Sequence, residues 1–243
     1  GGDHRVRADE RRDLAVDGRL DRRFATAHLG GLDLSARDLL GVRRVKILGC
    51  GAAYYAGVAG ALLIEDLSRI PADAETASEF RYRNAVIDPH TLYVAVSQSG
   101  ETFDTLAAVQ EIKRKGGSVI GVVNAPGSTI AGECGSGVYI HAGTEVSVAS
   151  TKSFTSTVVT FALLSLHLGR VRDLGAGDGA RLIAGLEALP GHITSVLGSE
   201  PDVAAVATTD QLSALQRDCR KSYVDPSLMK YAVRLAAATS FPE

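Results

Sequence analysis

The sequence predicts an α/β protein, a three-layer α/β/α sandwich built on a mostly parallel sheet of about five strands. Short, largely apolar runs, such as residues 45–48, 92–96 and 118–123, alternate with helical patterns. A strand apolar on both faces belongs in a parallel sheet covered by helices on both sides. The chain is also large enough for this architecture: 243 residues with 45% hydrophobic content can form one large domain, or one domain with an appendage.

Residues 3–23 carry charges of both signs with Val6, Leu14, Val16 and Leu20 spaced among them, the pattern of a solvated helix or arm that docks on the body. Residues 35–40 read as a short helix capped by Ser35. The alternation then begins with a strand at 45–48, a helix rich in Ala, Gly and Leu at 54–67, a strand at 72–76 and a short helix at 79–83. Strand 92–96 feeds helix 104–115, which ends at Gly116-Gly117, and strand 118–123 follows. Asn124-Ala125-Pro126-Gly127 is turn chemistry, and 138–141 is the last short strand. A long apolar helix runs from Ser150 to about Leu168. The glycines of 175–179 suggest a hinge, after which 180–197 reads as an amphipathic helix interrupted at Leu189-Pro190. Residues 211–221 and 231–238 are helical in character. The expected organisation is a helical arm over 1–40, a core domain over 41–174 and a helical extension over 175–243.

Composition narrows the function. Lys+Arg 26 against Asp+Glu 28 gives a net charge of −2, so no global field invites nucleic acid or an anionic membrane. Trp is absent and aromatic residues make up 5%, which argues against a base-stacking platform. Cys50, Cys134 and Cys219 are odd in number and lack ligand spacing, which suits a reducing cytoplasm and predicts neither disulfides nor a metal. No apolar run is expected to reach the roughly 20 residues of a bilayer span, and the charged N-terminal stretch does not read as a secretory signal.

The strongest functional signal is Ser97-Gln98-Ser99-Gly100-Glu101-Thr102, which joins an apolar strand to a helix. Main-chain N–H groups at a helix N-terminus, a glycine permitting close approach and three hydroxyls together make a phosphate cradle; the plainer alternative is a helix cap. Gly49-Cys50-Gly51 and the loop 124–129 are placed at strand carboxyl ends beside it, where open α/β sheets bind ligands. The run 48–53 lacks the full GxGxxG spacing, and Glu75 alone is weak support for a nicotinamide nucleotide, so no cofactor is expected. Cys50 has no histidine near it in sequence and reads as packing rather than a nucleophile. Residues 142–152 lead into the long helix; Ser150 is its natural N-cap, Val148 and Ser150 could offer main-chain groups to a sugar, and Glu145 is expected to pair with Lys152. His141 reads as structural before catalytic, and His90 as a surface-turn residue.

In order, Gly49-Cys50-Gly51, Ala77-Ser78-Glu79-Phe80-Arg81-Tyr82 and Ser97 through Thr102 resemble a sugar isomerase (SIS) domain. More narrowly, they resemble the first isomerase half of the glucosamine-6-phosphate synthases, the glutamine:fructose-6-phosphate amidotransferases. Asn124-Ala125-Pro126-Gly127-Ser128, Ala142-Gly143-Thr144-Glu145, Lys152-Ser153-Phe154-Thr155 and Gly185-Leu186-Glu187-Ala188-Leu189-Pro190 match as well, so the likeness runs from about Asp17 to about Ala207. The resemblance implies the SIS fold and a phosphate pocket at Ser97, Gln98, Ser99 and Thr102. It implies sugar contacts at Cys50, Gly51, Val148 and Ser150, with Cys50 acting through its main chain. It further implies fructose 6-phosphate or a related hexose phosphate as ligand, and a homodimer paired through helices such as 150–168 and the tail.

Two departures from the family stand out. Where the family has Thr-Ser after the Cys-Gly pair, this chain has Ala52-Ala53, a loss of polar partners expected to cost about 1–3 kcal/mol of binding. The family also places a glutaminase domain before this region and a second SIS half after it. That second half supplies the acid–base glutamate, the ring-opening histidine and a C-terminal lysine. No stretch here matches those motifs, Lys221 and Lys230 included, and glutaminase activity is not expected. Three functions follow as expectations. One is a phosphosugar isomerase or aminosugar-phosphate enzyme completed across a subunit interface, with Glu101 and Glu145 as candidate bases. The second is a regulatory sugar-phosphate-binding module, or a subunit needing a separate catalytic or glutaminase partner. The third is a piece of a longer synthase.

Overall fold

In a computed structural model, which describes residues 16, 18–145 and 150–198, the chain enters through a small antiparallel hairpin. Its strands are β1 (Leu20–Asp21) and β2 (Thr26–Ala27), with Leu20 opposite Ala27. The helix expected to reach residue 23 is therefore replaced by a hairpin at its end, while residues 3–15 lie outside the described residues. Asp21 Oδ1 accepts the Phe24 N–H at 2.9 Å and closes the turn, a local bond that competes with helix. Helix α1 (Ala36–Gly41) starts as expected at Ser35, which forms a reciprocal capping box with Asp38.

Five strands then build one sheet: β3 (Arg44–Gly49), β4 (Ala72–Thr76), β5 (Thr91–Ser97), β6 (Ser118–Val123) and β7 (Gly137–Tyr139). Every pairing is parallel and the spatial order is β4-β3-β5-β6-β7. All seven residues of the central β5 are buried, which explains its unbroken apolar run. The crossovers are α2 (Ala52–Ser68), α3 (Ala77–Tyr82), α4 (Phe103–Arg114) and α5 (Thr129–Cys134). On one face Leu48, Tyr93 and Ala95 of the sheet pack with Phe80 of α3, Ala108, Val109 and Ile112 of α4 and Ile130 of α5. On the other, Ile47 lies against Gly57 of α2, and α2 in turn carries α6 (Thr151–Val171).

α5 is an element the sequence pattern did not disclose: six residues that follow directly on turn chemistry. The last strand is three residues long and stops at Tyr139, short of His141. By length and composition α6 is apolar enough to cross a bilayer, against the expectation that no run comes close, and 56% of that stretch is buried inside the protein. It carries Thr157, Thr160 and Ser165 into the interior because each hydroxyl donates to the carbonyl four residues earlier, at 2.7, 2.8 and 2.7 Å.

The chain divides into two units, 1–183 and 184–243, and α7 (Ala176–Gly198) spans the division. It starts inside the expected hinge and continues through Pro190. The proline removes one backbone donor from the helix, and Thr194 Oγ1 donates to the Pro190 carbonyl at 2.8 Å. The helices expected at 211–221 and 231–238 lie outside the described residues.

Candidate functional site

The sheet order reverses between β3 and β5, so a crevice opens outside their carboxyl ends. A cavity of about 230 Å³ lies there. One wall is Ser97, Gln98, Ser99 and Thr102; Ser150, Ser153 and Thr157 form another; and Cys50, Ala52, Ala53, Val96 and Phe154 make an apolar side. A larger cleft of about 350 Å³ sits at the opposite edge of the sheet, beside Arg37, His90 and Ser118. Strand amino ends are not where such sheets recognise ligands, and only the smaller cavity gathers the candidate residues.

Three helices begin at this cavity, with Gly51, Thr102 and Ser150 at the N-cap positions of α2, α4 and α6. None of the three N-caps makes a side-chain capping bond. The first-turn N–H groups thus receive no side-chain acceptor from the cap residue, and three helix N-termini converge on one space, that of α6 partly met by Glu145. Thr102 does not cap because its hydroxyl sits 2.9 Å from Ser97 Oγ. Buried Ser97 also accepts the Gly100 N–H at 3.0 Å, and Ser99 Oγ accepts the Glu101 N–H at 3.1 Å. The serines therefore shape the loop as well as face the cavity. Asp104, an acid in the first turn of α4, is offset by Arg81 at 2.9 Å, whose guanidinium lies 4.5 Å from the Phe103 ring centre.

Ser150 occupies the N-cap position, but the carboxylate that reaches the first turn of α6 belongs to Glu145. Its Oε2 accepts both the N–H and the hydroxyl of Ser153, each at 3.1 Å. Lys152 donates instead to the Thr144 carbonyl at 2.6 Å, so the expected pairing with Glu145 is replaced by two separate main-chain attachments. Glu101 Oε1 accepts the Thr129 N–H at 2.8 Å, and Thr129, through side chain and main chain, holds its carboxyl below the ordinary range. Neither glutamate lines the cavity. Val148 lies outside the described residues.

The remaining candidates make other contacts. Cys50 packs against the core cluster with its sulfur 3.8 Å from Thr105 Oγ1. Glu75 is committed to Arg83, at 2.5 and 2.8 Å, and to Lys46 at 3.1 Å, which leaves no ribose-binding acid. His141 is exposed against the Tyr139 ring, and its pKa is lowered, first by desolvation and then by Arg19. Among the described residues no cluster of His, Cys, Asp or Glu could hold a metal. Sequence reasoning missed Ser153, Phe154 and Thr157, although their spacing from Ser150 by three, four and seven residues is the signature of one helix face.

A sheet switch point ringed by helix N-termini is the geometry of an anion-binding α/β domain, and similarity to known proteins identifies which. Residues 38–166 match the SIS domain family, and the chain belongs to it. It is 46% identical over 193 residues to a glutamine–fructose-6-phosphate aminotransferase (isomerizing) of Thermus thermophilus, an alignment covering 79% of this chain and 31% of that protein. It is 42% identical over 167 residues to the enzyme of the same name from Streptomyces coelicolor, covering 68% of this chain and 27% of that one. The chain thus spans about a third of the length of these curated relatives. Among solved structures, the C-terminal domain of a glucosamine-fructose-6-phosphate aminotransferase from Francisella tularensis superposes with a TM-score of 0.71 at 27% identity, over 79% of this chain and 54% of that one. A glucosamine-6-phosphate deaminase from Thermotoga maritima shares the fold, with a TM-score of 0.54 at 18% identity over 77% of this chain and 54% of that one.

Proposed function

We propose that the chain is a phosphosugar-binding SIS domain acting in sugar-phosphate isomerisation or aminosugar-phosphate synthesis, as the isomerase half of an enzyme like the glutamine:fructose-6-phosphate amidotransferases. The convergence of three helix N-termini without side-chain bonds from their N-caps on one cavity carries this reading, because such a place favours a phosphate dianion. Ser97, Gln98, Ser99 and Thr102 hold the phosphate; Cys50 and Gly51 offer main-chain groups to the sugar, Ser150 approaches it from the start of α6, and Val148 is the further sugar contact that the family resemblance implies. Residues 41–174 form the domain, with 1–40 and 175–243 as its extensions. Glu101 and Glu145 each accept a main-chain N–H, so proton transfer at the sugar C1/C2 falls to a group from another subunit, in a homodimer or a separate catalytic chain.

Fructose 6-phosphate is expected to raise the melting temperature, fructose is not, and Ser99→Ala with Thr102→Ala is expected to remove the effect. Absence of stabilisation by any hexose phosphate would sink the reading. Incubation with fructose 6-phosphate, with and without ammonia, then tests turnover through the appearance of glucose 6-phosphate or glucosamine 6-phosphate. The apolar wall supplies a further prediction. Ala52→Thr combined with Ala53→Ser returns two hydroxyls to the cavity and is expected to tighten hexose-phosphate binding about 5- to 30-fold, from roughly 1 kcal/mol per hydrogen bond. Calorimetric titration checks it, and unchanged affinity would show that those hydroxyls find no partner on the sugar.

A further inference from the structure

We infer that Glu101 is a positioning residue that keeps the phosphate loop in its binding shape by gripping the first turn of α5, and that it is not a proton-transfer group. The inference rests on the phosphate-site reading above.

The loop 97–102 is tied internally by Ser97 and Ser99, but those bonds only fold it on itself. Beyond the strand pairing of Ser97 with β6, residues 100 and 101 of the loop are attached to the domain through α5. The Thr129 N–H donates to Glu101 Oε1 at 2.8 Å, and the Ile130 N–H donates to the Gly100 carbonyl at 2.9 Å. Ser128, the N-cap of α5, makes no capping bond, and its buried hydroxyl has no hydrogen-bond partner among the described residues. Glu101 caps the helix in its place, so that one carboxylate both closes α5 and anchors the loop, across 28 residues of sequence.

The same geometry argues against a base. Glu101 is outside the cavity lining, and a general base working near neutral pH needs a raised carboxyl pKa, the opposite of what Thr129 imposes. A positioning role needs only a well-placed acceptor oxygen, which glutamine also provides. Thr129 offers a second handle on the same contact. It is the first residue of α5, where proline is favoured, and Ser128 before it is already extended at φ −68° and ψ 159°, as suits a residue preceding proline.

Inorganic phosphate and fructose 6-phosphate are titrated calorimetrically into the whole chain and into Glu101→Gln, Glu101→Ala, Thr129→Pro and the Glu101→Ala/Thr129→Pro double variant. Glu101→Gln is expected within about threefold of wild type, whereas Glu101→Ala and Thr129→Pro each weaken binding about 5- to 10-fold, as for one lost hydrogen bond. The double variant is expected to be no weaker than either single one, since both remove the same contact. Melting temperatures without ligand stay within a few degrees of wild type, so the loss lies in the site and not in the fold. The inference is overturned if Glu101→Ala binds like wild type, if Glu101→Gln falls as far as Glu101→Ala, or if the two losses add. Wild-type chain that binds neither ligand overturns the site reading, and this inference with it; wild-type binding beside an indifferent Glu101→Ala overturns this inference alone.

Discussion

Replacing Gly100 by alanine is expected to abolish phosphosugar binding and to cost about 2–4 kcal/mol of stability. Gly100 sits at φ +70°, and a Cβ there would lie 1.9 Å from Ser128 Oγ and 2.3 Å from Ser128 Cβ. Two penalties therefore add: the left-handed backbone that an L side chain resists, and a collision with a buried residue at the start of α5. The loop can relieve the collision only by moving away from α5, which breaks the Ile130–Gly100 bond and turns the α4 N-terminus out of register with its ligand. Chemical denaturation measures the stability and titration with fructose 6-phosphate measures the site. Gly100→Ala/Ser128→Gly removes the collision and keeps the strained backbone, so it is expected to recover roughly half the stability. Full wild-type binding by Gly100→Ala would show that the loop is freer than its contacts indicate.

The second large effect lies in the helix pair behind the sheet. Phe161→Ala is expected to destabilise the domain by about 3–5 kcal/mol, the usual cost of emptying a buried aromatic site. Phe161 of α6 is fully buried, and its ring lies over Gly60 of α2, where an added Cβ would come within 2.4 Å of it. Gly60→Ala alone pits two effects against each other. Alanine gains about 1 kcal/mol of helix propensity, and overpacking against an enclosed ring costs about 1–3 kcal/mol, so the net sign is destabilising. In a Phe161→Ala background the collision disappears and the same Gly60→Ala change becomes stabilising. Urea denaturation of the four proteins completes the cycle, and a Gly60→Ala effect of the same sign in both backgrounds would refute the contact.

The strands of the five-stranded sheet were legible from their alternation with helical patterns, and 72–76 and 118–123 have the bounds the pattern suggested, whereas the two-residue strands of the hairpin were not foreseen. Ser35 declared its helix because the capping box is a local interaction. Elements decided by contacts distant in sequence were not legible. α5 is six residues whose cap comes from Glu101, and nothing near Thr129 announces it. The glycines of 175–179 suggested a hinge, although the backbone is helical from Ala176 onward. The place of loop 97–102 at the cavity could be read from its own residues because hydroxyls, a glycine and a helix start lie together after a buried strand. On the apolar side of the cavity Cys50 and Ala52-Ala53 were marked by the family resemblance, but Phe154 was not, since it joins them only once the start of α6 is brought to the cavity.

The helix starts at Gly51, Thr102 and Ser150 lie far apart in the chain, and their incompletely capped ends meet in one cavity. A single anion bound there would act as a shared cap, fastening three helices whose own N-cap side chains leave their first turns unbonded. Ligand and fold are then thermodynamically linked: at 100 times its dissociation constant a ligand adds about 2.7 kcal/mol to stability. Resistance of this domain to proteolysis should accordingly track the concentration of its phosphosugar, making the protein's lifetime a report on the supply of its own ligand.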